Sequence, residues 1–128
     1  MEVDVIGTEE RSSNKVTKHT VYIIQVKIRN VKQKIFMRYA ELLEVQKQVN
    51  KRFPDLRNIN PLTKSNWIGN HQNKIIEERK LAIQMYLQSL LSMRVMKERG
   101  SIILYALGLP EDFYTLHEKF RLSQEEND

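Results

Sequence analysis

Phe36-Met37-Arg38-Tyr39-Ala40-Glu41-Leu42-Leu43 is the stretch on which the reading of this chain turns. An alternating apolar run ends within it, and an amphipathic helical period begins. At the junction an arginine and an aromatic ring stand side by side. A helix start offers backbone N–H groups that favour an anion, a guanidinium grips phosphate in bidentate fashion, and tyrosine packs on a ring face. The junction therefore suits recognition of a phosphorylated ring, if the rest of the chain supplies a second wall.

Upstream, the pattern is that of strands. In Thr20–Arg29, Tyr22, Ile24, Val26 and Ile28 fall on one face and Gln25, Lys27 and Arg29 on the other. Met1–Gly7, with Val3, Val5 and Ile6, reads as a first strand, and the polar Thr8–Lys18 as a loop or frayed turn. Asn30–Gln33 makes a polar turn and Lys34–Arg38 a third strand, which completes a three-stranded antiparallel sheet with one face needing cover.

Downstream, the pattern is helical. Leu42, Val45 and Val49 line a first helix that Phe53-Pro54 ends. Pro54–Asn73 shows no period, and a loop of about 20 residues in a compact domain tends to be functional. A long helix follows from about Gln72 to Met93, with a stripe of Ile76, Arg79, Ile83, Tyr86 or Leu87, and Leu90. A third helix is expected over Met96–Leu107, stopping at Gly108-Leu109-Pro110, and a short one through Phe113, Leu116 and Phe120. Strands followed by helices make an α+β domain: a three-stranded antiparallel sheet packed against a helical subdomain of three to four helices. The domain is expected to span residues 1–112. Residues 113–128 then form a C-terminal extension, partly helical and ending in the disordered acidic tail Gln124–Asp128.

Composition narrows the function. With 128 residues, 41% of them hydrophobic, the chain can bury a core, removing roughly two-thirds of its unfolded surface from water. The absence of cysteine excludes disulfides, zinc–thiolate sites and cysteine nucleophiles, and fits a reduced cytosolic setting. No apolar run approaches a membrane span of about 20 residues, and Met1-Glu2-Val3-Asp4 does not open a signal peptide, so membrane contact is expected to be peripheral. The net charge of +5 fits either ordinary solubility or an anionic partner, a membrane leaflet or nucleic acid. No recognition-helix pattern or stacking platform supports nucleic acid.

Three features qualify as candidate chemistry. Arg79 lies within an apolar stripe, so it is either paired with an acid or a carbonyl, or aimed into a cleft opposite Arg38. Lys64, Trp67 and Ile68 share the long loop. Trp67 either tucks into the core or rides the loop tip with Ile68 into a bilayer interface. There Lys64, Lys74, Arg52 and Arg57 would meet anionic headgroups at about 1 kcal/mol each. His19, His71 and His117 have no metal-ligand spacing and are expected to be solvated. No catalytic, cofactor or metal motif is visible.

On these residues the chain resembles the phox-homology (PX) domain, the phosphoinositide-binding module of sorting nexins. Arg38-Tyr39-Ala40-Glu41-Leu42 stands where that family has Arg-Tyr-Ser-acidic-Phe after its third strand. Pro61–Lys64 stands in its proline-containing loop, and Ile76-Glu77-Glu78-Arg79-Lys80 matches its Ile-Glu-Glu-Arg-Arg/Lys signature. Tyr86-Leu87 and Leu90-Leu91 continue that helix as in the family, and the likeness covers about residues 1–112.

The resemblance implies roles. Arg38 would hold the 3-phosphate of phosphatidylinositol 3-phosphate, with Tyr39 beneath the inositol ring. Lys64 would reach the 1-phosphate, Arg79 the 4- and 5-hydroxyls, and Trp67 and Ile68 would enter the membrane. It further implies recruitment of a trafficking protein, through protein partners or further domains, to endosomal or vacuolar membranes, with the chain as an excised, non-enzymatic domain. The chain departs from the pattern at Met37, where a second basic residue is usual, at Ala40 and Leu42, and in lacking a second loop proline, which leaves Lys74 as the reserve for Lys64. The alternative is a module of the same fold that binds protein with little lipid affinity.

Overall fold

The computed structural model describes residues 1–12, 18–64 and 72–126. Its sheet has strand order β1 (Glu2–Ser12), β2 (Lys18–Ile28), β3 (Val31–Arg38), all antiparallel. The alternation in β2 settles which face is buried: Tyr22, Ile24, Val26 and Ile28 are fully enclosed. The β2–β3 turn is tighter than expected, because Ile28 pairs with Val31 and β3 begins there rather than at Lys34. Arg29 takes the left-handed conformation that so short a turn requires.

β1 is longer than its apolar residues indicate. Val3 and Val5 pair with Val26 and Ile24, the register shifts at Ile6, and Thr8–Ser12 then pairs with Lys18–Tyr22. The expected loop Thr8–Lys18 is thus strand at both ends, held by backbone pairing rather than burial, while residues 13–17 lie outside the described residues. The shift at Ile6 has the character of a bulge. It puts Glu10 opposite Thr20, where the unshifted register would put Glu9.

Helix α1 (Tyr39–Arg52) buries Tyr39, Leu42, Val45 and Val49. Pro54 opens a 3-10 turn over Pro54–Leu56, and Leu56 and Leu62 anchor the following segment to the core. Helix α2 (Gln72–Leu90) covers the sheet with Ile83, Tyr86, Leu87 and Leu90. Beside these, Gln84 reaches β1: Val5 N–H donates to its Oε1 at 2.7 Å, and its Nε2 donates to the Val3 carbonyl at 2.6 Å.

The expected third helix over Met96–Leu107 is shorter, and a separate helical turn precedes it. Helix α3 (Met93–Met96) and helix α4 (Gly100–Ala106) are separated by Lys97–Arg99, with Glu98 in the left-handed region. Ser92 caps the first of them, its Oγ accepting from Val95 N–H at 3.4 Å. Helix α4 ends at Gly108, whose φ of 77° suits glycine.

Helix α5 runs unbroken over Glu111–Glu126, so the boundary expected at residue 112 falls inside it. Helix also replaces the disordered tail expected from Gln124, as far as Glu126. The distal part of α5 is held at the β2–β3 turn: the Arg29 guanidinium lies 5.7 Å from the Phe120 ring and donates to Ser123 Oγ at 3.3 Å.

His117 corrects a second expectation. It is not solvated but buried, at 1% exposure, between Phe113 and Phe120 on the inward face of α5. A Cβ on Gly100 would lie 3.0 Å from its ring, so a side chain there would require the imidazole to give by a few tenths of an ångström. Burial pushes its pKa below the ordinary 6.5, as do the amino terminus and Arg121, against the opposing pull of Glu118. Neutral in the folded chain and protonated in the unfolded chain below about pH 6.5, His117 makes the unfolded state bind more protons there. Stability is expected to hold above that pH and to fall below it, by at most about 1.4 kcal/mol per pH unit. Urea midpoints measured across this range should show the slope, and His117→Gln should flatten it.

Candidate functional site

The end of the sheet, the start of α1, Lys64 and Arg79 of α2 enclose a cleft of about 500 Å³, a size that suits a small polar ligand. Arg38 closes β3 and is the N-cap of α1. A guanidinium has no acceptor with which to cap a helix. Glu41 instead reaches back, its Oε1 accepting from Arg38 N–H at 2.9 Å, and the Arg38 side chain is left exposed at the cleft. Met37, one residue earlier, packs against the core opposite Tyr22. The residue directly before Arg38 therefore brings no second cation to the cleft.

Tyr39 forms the floor. Its ring is buried at 7% exposure, and the Arg79 guanidinium lies 4.4 Å from the ring centroid. That is within cation–π range. The hydroxyl donates to the Thr63 carbonyl at 2.7 Å. Burial pushes the phenol pKa up, although Arg79 and the Thr63 bond pull it down, so the hydroxyl stays protonated as a donor.

The segment carrying Lys64 is held from α1 as well. Gln46 accepts from Leu62 N–H at 2.6 Å and donates to the Leu62 carbonyl at 2.9 Å. With Leu62 buried and Thr63 fixed by Tyr39, Lys64 stands at the cleft wall. Lys74 is exposed and is not among the described lining residues.

Of the residues singled out in the sequence, Arg38, Tyr39, Lys64 and Arg79 therefore share one cleft. Arg79 lines that cleft half-buried, its guanidinium over the Tyr39 ring. Trp67 and Ile68 lie outside the described residues.

Sequence reasoning missed the remaining wall. Glu10, Lys18, His19 and Thr20 line the cleft from β1 and β2, with Lys18 Nζ 3.6 Å from the Glu10 carboxylate. The available signal was the parity of β2: His19 shares its face with Val21, the cross-strand partner of Arg38. Among the described lining residues four cations face one carboxylate, a field for an anion. No group of three or more His, Cys, Asp or Glu side chains able to hold a metal occurs among the described residues. Nor is any described helix long and apolar enough to cross a membrane.

A family profile described as "PX domain" matches residues 25–104. Among solved structures, a designed CISK-PX domain is similar at 27% identity, with a TM-score of 0.62 over 71% of this chain and 84% of that one. The mouse SNX19 PX domain, solved with a bound sulphate ion, is similar in fold at 17% identity, with a TM-score of 0.53 over 76% and 92%.

Proposed function

The chain belongs to the PX domain family, generally phosphoinositide-binding and membrane-targeting modules, and on that footing we propose that it binds phosphatidylinositol 3-phosphate. The observation that carries the reading is the pair of arginines, Arg38 and Arg79, lining one cleft whose floor is the Tyr39 ring. Arg38 takes the 3-phosphate, Tyr39 packs beneath the inositol ring, Arg79 donates to the 4- and 5-hydroxyls, and Lys64 meets the 1-phosphate. A buried ring gives the cyclitol a flat seat, and a charged fork gives the phosphate direction.

Headgroup contacts of this kind support an affinity on the order of micromolar, about −8 kcal/mol. Stable anchoring takes a further signal. Insertion of Trp67 and Ile68 supplies one, and protein partners or further domains supply another. The module thereby recruits a trafficking protein to endosomal or vacuolar membranes. It acts by binding and not by catalysis.

A second reading, a PX-fold protein-interaction module with weak lipid affinity, is favoured by Met37, which turns into the core and leaves no basic residue directly before Arg38. Liposome flotation against each phosphoinositide in turn separates the two. Selective recovery with 3-phosphorylated vesicles is expected. A flat response across all anionic lipids would reduce the binding to basic attraction, and no recovery from any vesicle favours the protein-interaction reading. Trp67→Ala should weaken recovery on vesicles more than binding to a soluble headgroup, while equal losses would make Trp67 a core residue.

A further inference from the structure

One side chain of the cleft has no part in that scheme. His19 lies on β2 two residues before Val21, and Val21 is the cross-strand partner of Arg38. Parity puts His19 on the same face of the sheet as Arg38, as its diagonal neighbour, with Cβ atoms on the order of 7 Å apart. Both line the same cleft. The imidazole is half-buried and engages no hydrogen bond or ion pair among the described residues.

The other charged groups around it are largely engaged elsewhere. On β1, Arg11 is its direct cross-strand partner, but the Arg11 guanidinium lies 5.3 Å from the Phe36 ring and 3.0 Å from the Glu9 carboxylate. Lys18, adjacent on β2, is drawn 3.6 Å from Glu10. Each of these pairs sums to no charge. Arg38 from β3, Lys64 from the segment after α1 and Arg79 from α2 supply fixed positive charge at the cleft.

We propose that His19 is a second ligand for the phosphate that Arg38 grips, and that its protonation makes headgroup affinity rise as pH falls. The inference rests on reading the cleft as a phosphoinositide headgroup site. It fills the place beside Arg38 that Met37 leaves empty by turning to the core, but from the neighbouring strand. Histidine is the side chain whose charge changes between about pH 5 and 8, whereas arginine and lysine stay charged throughout. A phosphate seated between Arg38 and His19 favours the imidazolium, because an adjacent opposite charge favours the charged form. Binding then takes up a proton, and by linkage the affinity rises on acidification. The result is a phosphate contact that strengthens in an acidic setting while the fixed cations keep a baseline in a neutral one.

The phosphate loses its own second charge near about pH 6, which weakens binding by every cation in the cleft. The quantity to compare is therefore the ratio of dissociation constants between a variant and the wild type, in which ligand ionisation cancels. Isothermal titration with soluble dibutanoyl phosphatidylinositol 3-phosphate at about pH 8 and about pH 6 supplies it. His19→Gln is expected to bind within about twofold of wild type at the higher pH and roughly tenfold more weakly at the lower. His19→Lys, with its fixed charge, should bind more tightly than His19→Gln by a similar factor at both.

A wild-type-to-His19→Gln ratio that does not change with pH overturns the proposal, as does a lysine variant no tighter than the glutamine one. Inorganic phosphate at the same concentration distinguishes a headgroup from the bare ion. Affinity equal to that of the lipid headgroup would overturn the assignment to a membrane ligand. If the wild type binds no headgroup at either pH, the parent reading fails with it. That outcome is distinct from a bound headgroup with a flat ratio, which removes His19 alone.

Discussion

Arg38→Ala should abolish recovery on 3-phosphorylated liposomes while leaving the fold intact. Two charge-assisted hydrogen bonds to one phosphate are together worth on the order of 3 kcal/mol, a loss of more than a hundredfold in affinity. The fold should survive because the side chain is exposed and its helix-start bond is made by its backbone N–H to Glu41 at 2.9 Å. A thermal midpoint within about 1 °C of wild type, with headgroup binding gone, is the expected pair of observations. Arg38→Lys should fall between, since lysine keeps the charge but loses the fork. Unchanged recovery of the alanine variant would remove Arg38 from the ligand and with it the orientation of the whole site.

Tyr39→Ala should damage both stability and binding. The ring is buried at 7% exposure, supports Arg79 at 4.4 Å and fixes Thr63 through a 2.7 Å hydrogen bond. Removing a buried aromatic ring costs about 3–5 kcal/mol. The loss should appear as a lower urea midpoint at unchanged slope. It also frees the segment carrying Lys64 and takes away the floor under Arg79, so headgroup binding falls even where the variant is still folded. Tyr39→Phe separates the two effects: it keeps the ring and loses the bond to Thr63, at about 1 kcal/mol. Near-normal headgroup affinity in the phenylalanine variant, with strong loss in the alanine one, identifies the ring as the binding element. Equal losses in both assign the effect to the hydroxyl.

Much of this molecule was legible because its strongest patterns are also its most buried. The four alternating residues of β2 and the Ile83–Leu90 part of the α2 stripe are all enclosed, so period and burial agree. What escaped was structure held by something other than side-chain burial. Thr8–Ser12 has no apolar period and is strand because β2 offers it backbone partners. The break between α2 and α3 depends on Ser92 capping a new helix, and that between α3 and α4 on Glu98 taking a left-handed conformation; neither disturbs the apolar spacing. His117 was misjudged by residue type, although its spacing of four from Phe113 and three to Phe120 is that of an inward face.

The candidate site divides in the same way. Arg38 and Arg79 stood out because each breaks a pattern, one at a junction and one inside an apolar stripe. Lys18, His19 and Glu10 break none. Lys18 and His19 enter the cleft through the pairing of β2 with β3, and Glu10 through that of β1 with β2, where a one-residue shift at Ile6 decides the register.

The Gln84 contact has a consequence for how copies of this chain behave towards one another. β1 is an edge strand, and the outward N–H of Val5 and carbonyl of Val3 are a template on which another strand can grow. A carboxamide carries the same donor and acceptor as a peptide group, so α2 lays one surrogate peptide over that template. An incoming strand must first displace it and forfeit two short hydrogen bonds before gaining its own. Beyond it, Glu9, Glu10 and Arg11 bring charge to the rest of the edge. The chain is thereby guarded against sheet-to-sheet aggregation along β1.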